Sequence, residues 1–242
     1  MSLERFFAES PLPGPGVEIE LGVEEARHLV SVYRATSGRE VTLFDGSGVE
    51  VRARVVKAEK RLVRLEVIEC LKVDRKPVVD IELAVALPRG GAADDVIRRA
   101  LEVGASRIIP LETERSVYRA ERKDEAKRRE RFRRIAIASM KLSGRNSMPL
   151  LLGHRSLAEL ALPTGTLGFL GSTDPDAPFL SKIDLSAESA PCFRLVIGPE
   201  GGFSQDEIAA LRSFGYRDLS FGPMVLRVQT AVVLGLGILA MR

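Results

Sequence analysis

The chain has 242 residues, 45% of them apolar and 29% charged, a balance that suits one large or two small globular domains with a sizeable core. Its two cysteines, Cys70 and Cys192, stand far apart without C-x-x-C spacing or a histidine partner, which argues against a disulfide framework or a zinc site. A formal charge of +3 and a pI near 9.0 permit a nucleic-acid partner without demanding one. The start of the chain lacks the apolar run of a signal peptide, and the longest apolar stretch, Ala231 to Met241, is too short to span a bilayer. A soluble, cytoplasmic protein is the expectation, with no metal and no membrane partner.

The first part reads as mostly β. Glu24 to Tyr33 suits a short helix or turn that carries Arg27 and His28, with Arg34 just after it. Val41 to Phe44 runs into Asp45-Gly-Ser-Gly48, a hairpin-type turn. Val49, Val51, Ala53 and Val55 alternate with polar residues, and Val63, Leu65 and Val67 repeat the pattern after a charged turn at Lys57 to Arg61. Three such strands predict a small barrel over residues 1–72. His28 reads first as a hydrogen-bonded structural histidine, and with only two histidines in the chain, histidine-based catalysis has little to work with.

The charged, proline-ended stretch Leu71 to Pro77 is the expected linker, so residues 73–242 form the second domain. Val78 to Leu87 suits a strand buried on both faces. After Pro88-Arg-Gly-Gly91, apolar residues at 93, 96, 97, 100 and 101 give a helix with one buried stripe, ended by Gly104. A strand over Ala105 to Pro110 completes a βαβ unit, which implies a parallel sheet with helices on both faces. Arg119 to Arg134 carries nine Lys/Arg against four Asp/Glu, with Phe132 and Ile135 marking an apolar side. That segment is either a solvated, salt-bridged helix or a guide for RNA phosphates. Thr166 to Leu170 is the next strand, and Gly171 to Asp174 the loop after it.

The remaining strands end in glycine turns. Leu195 to Ile197 leads into Gly198-Pro-Glu-Gly-Gly202, and Ser204 with Glu207 has capping-box spacing at the start of a helix that stops near Gly215. Phe203 and Ile208 sit where a hydrophobic staple joins a helix entry. A strand over Asp218 to Phe221 breaks at Gly222-Pro223, and Arg227, Gln229 and Thr230 precede an apolar helix. One glycine turn alone reads as a tight connection. Two, separated by one helix and one strand, read as the crevice at the carboxyl ends of parallel strands where ligands bind.

Ile197-Gly-Pro-Glu-Gly-Gly-Phe-Ser204 with Leu226-Arg-x-x-Thr-Ala231 resembles the C-terminal signature of the SPOUT RNA methyltransferases, and specifically of the RsmE family, which methylates N3 of a uridine in small-subunit (16S) ribosomal RNA. Arg5-Phe-Phe7, His28-Leu29, Leu43-Phe-Asp-Gly46, Arg99/Glu102/Gly104, Thr113 to Val117 and Ser143-Gly-Arg-Asn146 are similar to further landmarks of that family, in order along the chain. The resemblance implies a PUA-like RNA-binding β-barrel followed by a SPOUT domain whose C-terminal segment forms a deep trefoil knot, and a homodimer as the working state. It implies S-adenosylmethionine as cofactor, held among Leu170, Gly171, Ile197, Gly198, Pro199, Glu200, Gly202, Phe221, Gly222, Val225 and Leu226. A side chain added at Gly198 is then expected to block the pocket while the fold survives. Arg27, His28, Arg34, Arg115, Arg122 and Arg128 are the candidate RNA contacts. The chain departs from the family at Met224 (usually Arg), Gln229 (usually Glu) and Lys141-Leu142 (usually Glu-Gln).

The implied target defines the chemistry. A uridine N3 becomes nucleophilic when its proton leaves and the charge spreads onto O2 and O4, so a fixed arginine beside those oxygens favours the reactive anion. Arg227 is the leading candidate, with Arg145 as helper; the competing account of Arg227 is a buried structural ion pair. Alternatives are a different RNA site or a ribose oxygen as target, and an RNA-binding or ribosome-assembly protein with weakened catalysis.

Overall fold

Val41, Leu43, Val51, Ala53, Val55, Val63, Leu65 and Val67 alternate with polar neighbours, and every one of them is buried in a single apolar cluster. In the computed structural model, which describes residues 4–73, 75, 79–116, 125–179 and 190–241, these side chains line one face of a five-stranded sheet. Its strands are β1 (Arg5–Phe7), β2 (Glu18–Glu20), β3 (Glu40–Phe44), β4 (Glu50–Glu59) and β5 (Leu62–Leu71), in the order β1-β3-β4-β5-β2. β1 runs parallel to β3, and the other pairings are antiparallel. Helix α1 (Val23–Ser31) covers the sheet with Ala26 and Leu29.

Two expectations change here. The turn read at residues 57–61 shrinks to residues 60 and 61, because Lys57, Ala58 and Glu59 still pair with Arg64, Val63 and Leu62. Ala58 packs against the cluster, but one small apolar residue between Lys57 and Glu59 gives no alternation to read. β1 and β2, at three residues each, are likewise too short to show a period. The predicted Asp45–Gly48 turn is present: Asp45 accepts from the backbone N–H groups of Ser47 and Leu12, and Gly46 and Gly48 take positive φ angles of 87° and 100°.

The chain divides into two compact units, Met1–Lys76 with Ile137–Met148, and Pro77–Ala136 with Pro149–Arg242. Sequence order had assigned 137–148 to the second domain. In the first unit, Met140 packs with Phe7 and Phe44, and Lys141 donates to both carboxylate oxygens of Glu25, each at 2.9 Å.

The second unit is built on a seven-stranded sheet whose pairings are all parallel among the described residues. β6 (Asp80–Val85), β7 (Arg107–Glu112), β8 (Leu150–Leu151), β10 (Thr166–Gly171), β11 (Cys192–Ile197) and β12 (Arg217–Leu219) follow the order β12-β10-β11-β6-β7-β8, and the short β9 (Arg155–Ser156) pairs with β7. Helix α2 (Gly91–Glu102) buries Val96, Ile97, Ala100 and Leu101, the stripe its spacing predicts, and Gly104 ends it at φ 110°. Helix α3 (Glu125–Ser143) contributes residues to both units. Neighbouring β11 residues face opposite ways: Val196 joins the apolar cluster under α4 (Gln205–Ser213), while Leu195 meets α5 (Val228–Ala240). A Cβ at Gly235 of α5 would lie 2.6 Å from Leu195, so that glycine lets the helix settle onto the sheet. The sheet is thus covered on both faces.

One row of this sheet is ionic. Arg107, Glu82 and Arg194 stand in register across β7, β6 and β11. Glu82 accepts a close hydrogen bond from Arg107 and one of 2.6 Å from Arg194, whose Nη1 reaches the carbonyls of Leu160 and Ala161 and the Tyr216 hydroxyl. Gly168 completes the row on β10, where a Cβ would come within 2.6 Å of the Tyr216 ring.

Candidate active site

Because β12, β10 and β11 are adjacent and parallel, their carboxyl ends release three loops at one edge of the sheet, the place where open α/β sheets bind ligands. The three ends converge on Gly171. A Cβ there would lie 2.7 Å from Ile197 and 3.1 Å from Phe221, so only glycine lets the walls close this tightly. Leu170, Ile197 and Pro199 are buried beneath, and Glu200, Gly202 and Val225 are exposed.

The first glycine turn uses its glycines for different reasons. Gly202 alone takes a positive φ, 68°, and its N–H donates to the Pro199 carbonyl at 2.9 Å. Gly198 has an ordinary φ, but a Cβ on it would sit 2.9 Å from the Phe203 ring. The expectation that a side chain at Gly198 probes the pocket alone therefore changes, since it would also displace a ring packed against the core. The predicted capping box is present: Ser204 accepts from the Glu207 N–H, and Glu207 accepts from the Ser204 N–H at 2.8 Å. Phe203 and Ile208 pack against one apolar cluster, as a staple requires.

A second loop braces this turn, and the sequence carried no local signal for it. The Glu114 N–H donates to Glu207 at 2.7 Å, and Arg115 donates to the Gly201 carbonyl at 2.9 Å. Contacts between residues 86 or more positions apart leave no periodicity to read.

The other glycine turn is pinned by the buried Ser220, whose hydroxyl donates to the Gly222 carbonyl at 3.1 Å and accepts from the Gly222 N–H at 3.2 Å. Gly222 has φ 128°, a region side-chained residues avoid. The chain then carries Met224 and Val225 outward, 75% and 81% exposed, with Leu226 half-buried. Arg227 starts α5 without capping it and is exposed, and among the described residues its side chain makes neither a hydrogen bond nor an ion pair. A buried ion pair is therefore not its role in this structure.

The other candidates fall into distinct settings. Arg145 belongs to the first unit and is 8% exposed; its Nε donates to the Ser147 carbonyl at 2.8 Å, and its own carbonyl accepts from Arg5. Arg27 is exposed on α1, and Arg34 is exposed with φ 52°, the one positive φ on a side-chained residue among those described. His28 is half-buried with the Lys141 ammonium 3.1 Å from Nδ1 and the Phe6 and Tyr33 rings edge-on to it. Burial first and Lys141 second push its pKa down, against the opposing pull of Glu25. Arg115 is tied to the Gly201 carbonyl, and Arg128 is half-buried on α3. Arg122 lies outside the described residues.

The site's own features fit S-adenosylmethionine. Backbone at Gly202 and Gly222 has open space where a Cβ would stand, so a ligand can approach main-chain groups there, and apolar side chains at Ile197, Phe221 and Val225 suit an adenine or methylene surface. Among the described residues no group of three or more His, Cys, Asp or Glu is arranged to hold a metal ion, and no helix is long and apolar enough to cross a membrane.

A parallel sheet with a glycine-shaped crevice at the ends of three adjacent strands, in a chain that also folds a small β-rich unit, defines an α/β ligand-binding protein with an added β domain. The chain belongs to the RNA methyltransferase family: the family's domain model matches residues 74–240, and the model for the RNA methyltransferase PUA domain matches residues 21–68. Among characterised relatives, the ribosomal RNA small subunit methyltransferase E of Bacillus subtilis is 28% identical over 214 residues, covering 86% of this chain and 84% of the relative. Its Aquifex aeolicus counterpart is 30% identical over 183 residues, 74% of this chain and 76% of the relative. Two solved structures superpose on nearly the whole chain. A Legionella pneumophila methyltransferase with bound S-adenosylmethionine gives a TM-score of 0.89 at 29% identity, covering 99% of this chain and 97% of that one. The Neisseria gonorrhoeae ribosomal RNA small subunit methyltransferase E, also bound to S-adenosylmethionine, gives 0.88 at 26% identity with the same coverage.

Proposed function

We propose that this protein transfers a methyl group from S-adenosylmethionine to N3 of a uridine in small-subunit (16S) ribosomal RNA. The observation that carries the reading is the convergence of three glycine-shaped strand ends on Gly171, with an exposed Arg227, its side chain unpartnered among the described residues, where the last of those loops enters α5. Family membership, relatives named as small-subunit rRNA methyltransferases and two related structures holding the cofactor support it.

The backbone of residues 170–171, 197–202 and 221–226 would hold S-adenosylmethionine, which supplies an electrophilic methyl group when bound. The turns exclude water and fix direction, which methyl transfer needs more than acid–base groups. Arg227 stabilises the charge that spreads onto O2 and O4 of the uridine as N3 gives its proton to solvent; among the described residues its guanidinium has no internal partner to give up first. Arg145, 92% buried and bonded to backbone, acts as a positioning residue in its own unit rather than as a substrate contact. The target base must leave its stack or lie in a single strand.

The trefoil knot belongs to the same reading. β12 is an edge strand, yet the helix that follows it, α5, packs on β11, β6 and α2, so the chain returns across the sheet after the Gly222 turn. A homodimer is supported by apolar side chains left exposed on and beside α5, Leu234, Met241, Met224 and Val225. Sedimentation at micromolar concentration is expected to give twice the monomer mass; a monomer overturns the dimer alone. The substrate, whether free rRNA or the small subunit, belongs to the cytoplasm.

The deciding experiment incubates the protein with labelled S-adenosylmethionine and either free rRNA or small subunits, then digests the RNA and identifies the nucleoside. 3-Methyluridine is the expected product. A ribose-methylated product would move the target to oxygen. Cofactor binding without any methylated nucleoside would favour the reading in which Met224 and Gln229 have weakened catalysis.

A further inference from the structure

Away from the glycine turns, within the same unit, a cleft opens between α2, the first half of α3 and the strands β7 and β8. Its lining joins two chemistries. Leu87, Ile97 and Phe132, each at most 7% exposed, give an apolar floor. Arg128, Arg131 and Asp94 add charge to it. Arg131 is already engaged, its Nε and Nη2 donating to one Asp94 oxygen at 3.0 and 2.7 Å. Arg128 differs. Its Nε is buried and has no hydrogen-bond partner among the described residues. A buried donor without an acceptor is costly to keep, so the Arg128 guanidinium at the cleft wall gains by turning a donor to a ligand oxygen.

The occupant must satisfy both halves. An aliphatic ligand would leave the Arg128 donor unmet, and a small inorganic anion would leave the apolar floor unmet. A nucleotide meets both, with a flat base and an anionic backbone. The charge of the helix favours the same partner, since residues 125–134 of α3 carry six Lys/Arg against two Asp/Glu. We propose that this cleft takes one unstacked nucleotide of the RNA substrate, its base against the Leu87–Phe132 floor and an oxygen of the base or phosphate accepting from the Arg128 guanidinium. The proposal rests on the methyltransferase reading and adds to it a second contact, distinct from the methylated base, that sets which RNA is held.

The test compares two variants that damage the cleft differently. Arg128→Ala removes the donor, while Ala93→Leu, at a half-buried position in the lining, fills the cleft and leaves every cation in place. Arg134→Ala, on the exposed side of the same helix, is the control for charge alone. Affinity for a fluorescent oligonucleotide copying a small-subunit rRNA hairpin is measured at one salt concentration, together with S-adenosylmethionine affinity, melting temperature and sedimentation. Both cleft variants are expected to weaken RNA binding by roughly tenfold or more, the scale of losing one stacked base, with cofactor affinity and oligomeric state unchanged. Arg134→Ala should weaken it only slightly. Wild-type RNA affinity in both cleft variants overturns the cleft and leaves the methyltransferase reading standing. An equal loss in Arg128→Ala and Arg134→Ala with none in Ala93→Leu overturns it in favour of diffuse attraction. A changed sedimentation mass overturns it in favour of a contact between copies. A wild-type protein that neither binds nor methylates RNA overturns the functional reading, and the cleft with it.

Discussion

Arg194 and Arg227 belong to the same unit and have opposite surroundings. Arg194, the third residue of β11, is 7% exposed and spends its donors on Glu82, two backbone carbonyls and the Tyr216 hydroxyl. Arg227, beyond the strand ends, is exposed and spends none within the described structure. A buried guanidinium that gives its donors to internal acceptors holds the sheet together and is withdrawn from any substrate. One kept at the rim of a crevice without partners contributes little to folding and is available to a developing charge. Removing the partners of the first should therefore cost stability, and removing the second should cost rate.

The largest effect is expected at Glu82. Glu82→Ala leaves Arg194 buried beside no carboxylate, and breaking such a pair from one side costs about 3–5 kcal/mol. Chemical denaturation should show the loss, and a variant within about 0.5 kcal/mol of the parent, the scale of an ordinary surface change, would erase the contrast between the two arginines. Arg227→Ala should leave the melting temperature and cofactor affinity nearly unchanged while slowing methyl transfer roughly a hundredfold, about 3 kcal/mol, the usual cost of one donor aimed at a developing charge. Arg227→Lys should recover only part of the rate, because it keeps the charge and loses the planar fork. Raising pH should rescue Arg227→Ala more than the parent, since hydroxide then helps to ionise N3. Near-normal turnover in a stable Arg227→Ala protein would remove this residue from the mechanism.

Gly222 sharpens the comparison on a smaller scale. At φ 128° with open space around it, Gly222→Ala meets no clash, only backbone strain of about 1–3 kcal/mol. Calorimetric titration should find weaker S-adenosylmethionine binding with the core intact. Gly198→Val is a poorer probe, since Phe203 must move as well. Wild-type cofactor affinity in folded Gly222→Ala would argue against this loop as a pocket wall.

The smallest effect concerns the two histidines. Burial pushes the pKa of His154 down, with Arg128 adding to it and Glu112 opposing, and His28 is shifted the same way. Below the ordinary histidine value of 6.5 the unfolded chain therefore binds more protons than the folded one. Stability should fall as pH drops through that value towards the lowered folded pKa, and be unaffected by these groups above it. His154→Gln should flatten that acid limb in pH-dependent melting curves; an unchanged slope would mean that other groups set it.

The alternation at residues 41–55 and 63–67, the α2 stripe, the Ser204–Glu207 capping box and the stop at Gly215 were all legible because each is a local rule written in neighbouring residues. The glycine turns were legible as turns, yet their reasons were not: Gly202 serves a positive φ, while Gly198 and Gly171 make room for Phe203, Ile197 and Phe221. Arg227 stood out as a candidate, and only its exposure and lack of partners separated it from a structural arginine such as Arg194. Nothing in the sequence brought Glu82 to Arg194, Arg115 to Gly201 or Arg128 to its cleft, because these meetings depend on strand order and on loops that close over many residues. By itself the sequence determined the periods, the caps and the family signature, since those arise from steric and hydrogen-bonding preferences within a few residues. Which arginines are spent on the fold and which are left for a ligand was decided by tertiary structure, because a donor's availability depends on the distant acceptors that packing places beside it.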